Sequence, residues 1–103
     1  MRVRLLCDGT EASVTPFVER FLGSVCLATA ASLKAPAATK GVRYELQGDA
    51  VRLHLDGAAV PLGLNQGFAA IIIRDTLRGM LQHLKGVRMD GNILIIVELG
   101  GQP

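Results

Sequence analysis

The segment VRLLCDG at residues 3–9 returns as VRLHLDG at residues 51–57, with five of seven positions identical. The offset is 48 residues, close to half of the 103-residue chain. Further pairs recur at an offset of 51: Phe17 with Phe68, and Leu33-Lys34 with Leu84-Lys85. At that same offset residues 42–47 fall on residues 93–98, both of strand character. A repeat of this length restricts the chain to two copies of one supersecondary unit, packed together because neither copy can bury its apolar face alone. The expectation is a single domain over residues 1–103 with repeat units at about 2–48 and 50–99.

Side-chain periodicity supplies the elements. Val3, Leu5 and Cys7 alternate with Arg2, Arg4 and Leu6; Val42, Tyr44 and Leu46 with Arg43, Glu45 and Gln47. Val51, Leu53 and Leu55 alternate with Arg52 and His54, and Ile93, Ile95 and Val97 with Leu94 and Ile96. Period-two alternation predicts four strands, each with one apolar face. Gly48-Asp49 suits a tight hairpin between the second and third strands. Thr15 followed by Pro16 starts a helix in which Phe17, Phe21, Val25 or Cys26, and Leu33 recur at helical spacing. A second helix runs from about Phe68 to Lys85, with Asn65 before it as a cap; its apolar residues cover more than one stripe. The segments after each Asp-Gly, DGTEASVTP and AAVPLGLNQG, read as loops into the helices.

Strand, helix, strand, strand, helix, strand is the βαββαβ pattern. It predicts an α+β, ferredoxin-like fold: a four-stranded antiparallel sheet in the order 4-1-3-2, both helices on one face, and an internal βαβ duplication. The open face is then uneven. It carries Leu6, Leu94 and Ile96 on two strands, and Arg43, Glu45, Gln47, Arg52 and His54 on the other two. An apolar patch on an open sheet points to association, so Leu6, Leu94 and Ile96 are the expected interface of a homodimer.

Chemistry is sparse. Net charge is +2, and 4% of residues are aromatic with no Trp, which speaks against a nucleic-acid surface built on basic clusters and stacking platforms. Cys7 and Cys26 lack metal or redox spacing and sit in apolar contexts, so both are expected as buried thiols. No phosphate loop of the GxxxxGK[ST] type appears, and His54 and His83 lack neighbours at ligand spacing, so no cofactor and no metal are expected. Cys7 and His54 point to opposite faces by alternation and cannot form a nucleophile–base pair. An acylphosphatase-type anion loop needs an arginine that DGTEASVTP lacks. The start MRVRLLCDG reaches its turn too early for a signal peptide, and the uncharged run 21–33 is too short to span a bilayer. A cytoplasmic protein without membrane attachment is the expectation.

Residues 55–87, LDGAAVPLGLNQGFAAIIIRDTLRGMLQHLKGV, carry a distinctive frame: Asp56-Gly57, Val60-Pro61-Leu62, Phe68, Ile71-Ile72, Thr76, Gly79-Met80 and Leu84-Lys85-Gly86. This string resembles a small C-terminal module of some molybdopterin-guanine dinucleotide biosynthesis proteins of the B type, where a P-loop GTP-binding domain precedes it. The family's Asn-Pro-Phe run is GLNQGF here, and without a phosphate loop the resemblance does not extend to GTP binding. It implies a binding or adaptor role in molybdenum-cofactor or metalloenzyme maturation. Two functional readings follow. The first is a non-enzymatic binding or adaptor module that oligomerises and takes a protein partner. The second is a small-ligand sensor binding at a dimer interface, with Asp8, Thr10, Asp56 and Asn65 in the polar loops as the ligand-binding residues.

Overall fold

Strand alternation and two helices, the first capped by Thr15, build the chain, with two added strands. The computed structural model describes residues 1–33, 39–48, 50–60, 66–85, 87–88 and 90–99, with the backbone alone for 66–69. The elements are β1 (Arg2–Cys7), β2 (Thr10–Ala12), α1 (Pro16–Ser32), β3 (Gly41–Gln47), β4 (Ala50–Leu55), β5 (Ala58–Val60), α2 (Gln66–Leu81) and β6 (Ile93–Glu98). The fold is α+β, with two helices on a six-stranded antiparallel sheet in the order β2-β1-β6-β3-β4-β5.

The sheet corrects the expected one in strand count and in order. Both segments read as loops after Asp-Gly fold back as three-residue strands, β2 on β1 and β5 on β4. These hairpins explain the order. An order of 4-1-3-2 requires both edges of the first and third strands for long-range partners. Here β2 occupies one edge of β1 and β5 one edge of β4. The free edges then pair with β6 and β3, which become the central strands. The four long strands therefore read 1-4-2-3.

The facing of the strands is as alternation predicts. Val3, Leu5, Cys7, Val42, Tyr44, Leu46, Leu53, Ile93, Ile95 and Val97 are buried, and Val51 and Leu55 pack against them half-buried. One row runs in register across the sheet: Leu5, Ile95, Tyr44 and Leu53, each no more than 1% exposed. The helices close this face with two matching ladders, Leu22, Cys26 and Ala30 on α1 and Ile73, Leu77 and Leu81 on α2. Their i, i+4, i+8 spacing lines one side of each helix. The Tyr44 hydroxyl donates to the Cys26 carbonyl at 2.7 Å, so the buried ring keeps a partner for its polar tip. Burial pushes the Cys26 thiol up to about 12, which keeps it protonated; both cysteines are free and buried.

The duplication is visible in the fold. Adding 48 to β1 and β2 gives the bounds of β4 and β5, and adding 51 to the core ladder of α1 gives that of α2. Exchanging the halves reverses the strand order onto itself. The extra residues of the second half fall between Val60 and Gln66.

Two helix expectations change. Phe17 and Phe21 do not join the core, because the buried side of α1 lies at Leu22, Cys26 and Ala30. Helix α2 begins at Gln66 and ends at Leu81 rather than running from about Phe68 to Lys85. After Leu81 the His83 and Leu84 amides donate three residues back, to Met80 and Leu81, which tightens the chain out of the α-helical path. Thr15 does cap α1, accepting from the Val18 amide at 3.2 Å, with Pro16 in the first turn. Among the described residues no helix is long and apolar enough to cross a membrane.

Candidate functional site

Three places gather side chains with functional potential: the Asp-Gly turns, the open sheet face and the outer surface of the helix layer.

Each Asp-Gly is the two-residue turn of a hairpin rather than an entry into a helix loop. Cys7 pairs with Thr10, and Leu55 with Ala58. Asp8 and Gly9 have φ of 52° and 83°, Asp56 and Gly57 50° and 85°. Two successive positive φ values define the turn whose twist suits a β-hairpin, and Asp-Gly is among the sequences that reach it most cheaply. A β-carbon at Gly9 or Gly57 meets no neighbour, so only backbone strain opposes alanine there. Gly9→Ala and Gly57→Ala are each expected to cost about 1–2 kcal/mol in urea unfolding, and to nearly equal extents. A loss at one turn only would break the equivalence of the halves.

Both turn aspartates clamp the other half of the molecule. The Asp56 carboxylate accepts from the Lys40 and Gly41 amides at 2.9 and 2.8 Å, pinning the entry to β3. The Asp8 carboxylate accepts from the Asn92 amide at 2.9 Å and pairs with Arg88, pinning the entry to β6. Asp8 and Asp56 thus lie at opposite ends of the sheet, at Ile93 and Glu98 of β6 respectively. The structure does not bring them into one site. Thr10 is exposed beside Asp8 at the start of β2, and Asn65 lies outside the described residues.

Arg88 and the Asn92 amide hold the Asp8 carboxyl below its ordinary value of 3.8. Folding therefore favours the ionised form. The stability Asp8 contributes is present above about pH 4, where the unfolded carboxyl is also ionised, and is lost as pH falls through the lower folded value. Asp8→Asn keeps a residue tolerant of positive φ and removes the charge. Parent and variant stabilities, measured by urea unfolding over a pH series, should differ at neutral pH and converge in acid. A constant gap down to strong acid would contradict the clamp's ionic character.

On the open face, Leu6 faces Leu94 directly, and Ile96 sits one row along between Arg4 and Arg43. All three are half-buried. Charge flanks them on both sides: Glu11 on β2 pairs with Arg4 at 3.3 Å, and Glu45, Arg43, Arg52 and His54 lie on β3 and β4. The apolar residues form a narrow stripe within a polar face, rather than one half of a divided face.

The large exposed apolar side chains are elsewhere. Among the described residues they are Met1, Phe17, Phe21, Ile71 and Ile72, with Phe17 73% exposed. Phe17 and Phe21 stack with ring centres 5.8 Å apart and planes 7° from parallel. They flank an apolar cleft of about 310 Å³ between the start of α1 and the end of α2, closed by Gly79, Met80, His83 and Leu84. Phe21 and Ile72 are equivalent positions of the repeat, and both are half exposed. A β-carbon at Gly79 meets nothing, so this glycine is tolerated in the cleft wall rather than required by close packing. The signal in the sequence is the spread of apolar residues beyond one stripe on the second helix.

Among the described residues no group of three or more His, Cys, Asp or Glu side chains is placed to hold a metal ion. Cys7 faces the core, bonded to the Arg88 backbone, and His54 is on the opposite face two strands beyond the neighbour of β1. Compared with models of protein families, with curated proteins and with solved structures, the chain finds no match.

Proposed function

We propose that this protein is a non-enzymatic binding or adaptor module that acts as a homodimer joined through its helix layer. The observation that carries the reading is the stacked Phe17–Phe21 pair standing in solvent beside an apolar cleft. Aromatic side chains in that position leave a large apolar area in water, and burying it is the main driving force for association. Two helices of 17 and 16 residues are each about 25 Å long. Side by side they offer a face on the scale of the roughly 800 Å² per partner that stable interfaces use. The open-face stripe of Leu6, Leu94 and Ile96 remains the smaller candidate, half covered by its charged neighbours. Sedimentation equilibrium over a range of concentrations tests the reading. The expected mass is that of two chains, and a single-chain mass throughout would remove the association.

The finer fold reading is that the interleaved βαβ halves form a relative of the ferredoxin-like arrangement, extended by one hairpin strand at each edge. The resemblance of residues 55–87 to the C-terminal module of B-type molybdopterin-guanine dinucleotide biosynthesis proteins supports a setting in molybdenum-cofactor or metalloenzyme maturation. Within that setting the dimer presents its remaining surfaces to a protein partner.

A second reading, a small-ligand sensor, is favoured by a notch on the open face that has Arg43, Asp56 and Glu98 among its walls. Thermal-shift screening against nucleotides, pterins, oxyanions and amino acids tests it, and an unmoved melting temperature across the panel would set it aside.

A further inference from the structure

We propose that the notch at Gly41 on the open sheet face binds a small zwitterion, a molecule bearing a carboxylate and an ammonium group close together, with the α-amino acids as its simplest class. The site rests on the ligand-sensing reading but moves its place: it lies on the opposite side of the sheet from the helix layer, away from the proposed dimer interface. Gly41 faces the open side, in register with Glu98 of β6 and beside Asp56 at the end of β4. Having no side chain, it leaves a gap of about 210 Å³ walled by Arg43, His54, Asp56, Ile96 and Glu98. That is below the roughly 300 Å³ at which pockets begin to hold drug-sized molecules, so the occupant is small.

The walls are of opposite sign. Arg43 is directly opposite Ile96, which makes Arg43 and Glu98 diagonal neighbours across β3 and β6. Diagonal positions lie about 7–8 Å apart. Neither side chain takes a hydrogen bond or ion pair among the described residues, and the Asp56 carboxylate, whose Oδ1 alone accepts the Lys40 and Gly41 amides, adds to the acidic wall. A carboxylate alone would meet Arg43 but be repelled by Glu98, and an amine alone the reverse. A molecule with both groups on one carbon satisfies both walls, with a charge-assisted bond at each. His54 adds a third sign of an unfilled polar site. Its Nδ1 is buried without a partner, a state that native proteins rarely leave unanswered. A turn of the ring about its Cβ–Cγ bond offers that nitrogen to the ligand.

Amide resonances of the whole chain, followed by NMR during titration with glycine and L-alanine, provide the test, with acetate and methylammonium as one-charge probes. The amino acids should shift Gly41, Val42, Arg43 and Glu98 saturably, and the one-charge probes should bind at least about tenfold more weakly. Arg43→Gln and Glu98→Gln should each weaken the amino acids by a similar factor. Gly41→Ala should do the same by filling the floor, since its β-carbon would sit 3.7 and 3.9 Å from the nearest atoms and fits without a clash. Saturable shifts elsewhere, unmoved by these variants, would overturn the notch and leave the sensing reading standing. No shift with either amino acid would overturn the notch as well, and the wider thermal-shift panel then judges sensing separately.

Discussion

Ile95→Ala is expected to lower the unfolding free energy by about 3–4 kcal/mol, a large share of the 5–15 kcal/mol that holds a typical domain. Ile95 is fully buried at the middle of β6, between Leu5 of β1 and Tyr44 of β3. Truncation removes three carbons from a row that continues to Leu53, and central-strand backbones on both sides cannot close the gap. The measurement is guanidinium unfolding followed by circular dichroism. The same substitution also separates the two strand orders. In the order 4-1-3-2 the last strand is an edge, where a truncated side chain relaxes more freely. A loss below about 1 kcal/mol would contradict a central β6.

Phe17→Ser combined with Phe21→Ser is expected to convert the proposed dimer to a monomer. Aromatic anchors at the centre of an interface each contribute on the order of 2 kcal/mol or more, so losing both weakens association by about a thousandfold. The two side chains are 73% and 51% exposed within one chain, so folding stability should stay close to that of the parent. Sedimentation gives the first readout and thermal unfolding at low concentration the second. A dimer that survives both serines would move the interface away from this layer. Leu6→Ser with Leu94→Ser would then examine the open-face stripe.

Particular residues show how far the sequence could be read. The twelve apolar strand positions from Val3 to Val97 all face the helices, because alternation depends only on the pleat and not on which strand lies alongside. Helix α1 is legible for a similar reason: Thr15 and Pro16 act within one turn of their own position. The stripe of α1 was harder. Phe17 and Phe21 recur at helical spacing, so periodicity alone does not separate them from the buried side. Packing instead chose the side holding Leu22, Cys26 and Ala30, whose smaller tail lets α1 settle against β1, β3 and β6. Asp8 and Asp56 are prominent in the repeat, and the structure places each in a hairpin turn and a clamp. The notch was invisible because it is made by a missing side chain, Gly41, between partners 15 and 57 residues away in sequence.

What the sequence by itself determined was the duplicated unit, the four long strands with their inward faces, and the two helices. Each of these rests on contacts and periodicities within a few residues. Strand order, the two short edge strands, the exposure of the phenylalanines and the notch were decided only in the tertiary structure. The apolar pattern of NILIIVEL satisfies an edge or a centre equally until the edges of β1 and β4 are taken. The Asp-Gly hairpins take one edge of each, and β6 and β3 then fill the middle. Competition for backbone hydrogen bonds, a non-local property, arranged strands whose faces were already set by local side-chain pattern.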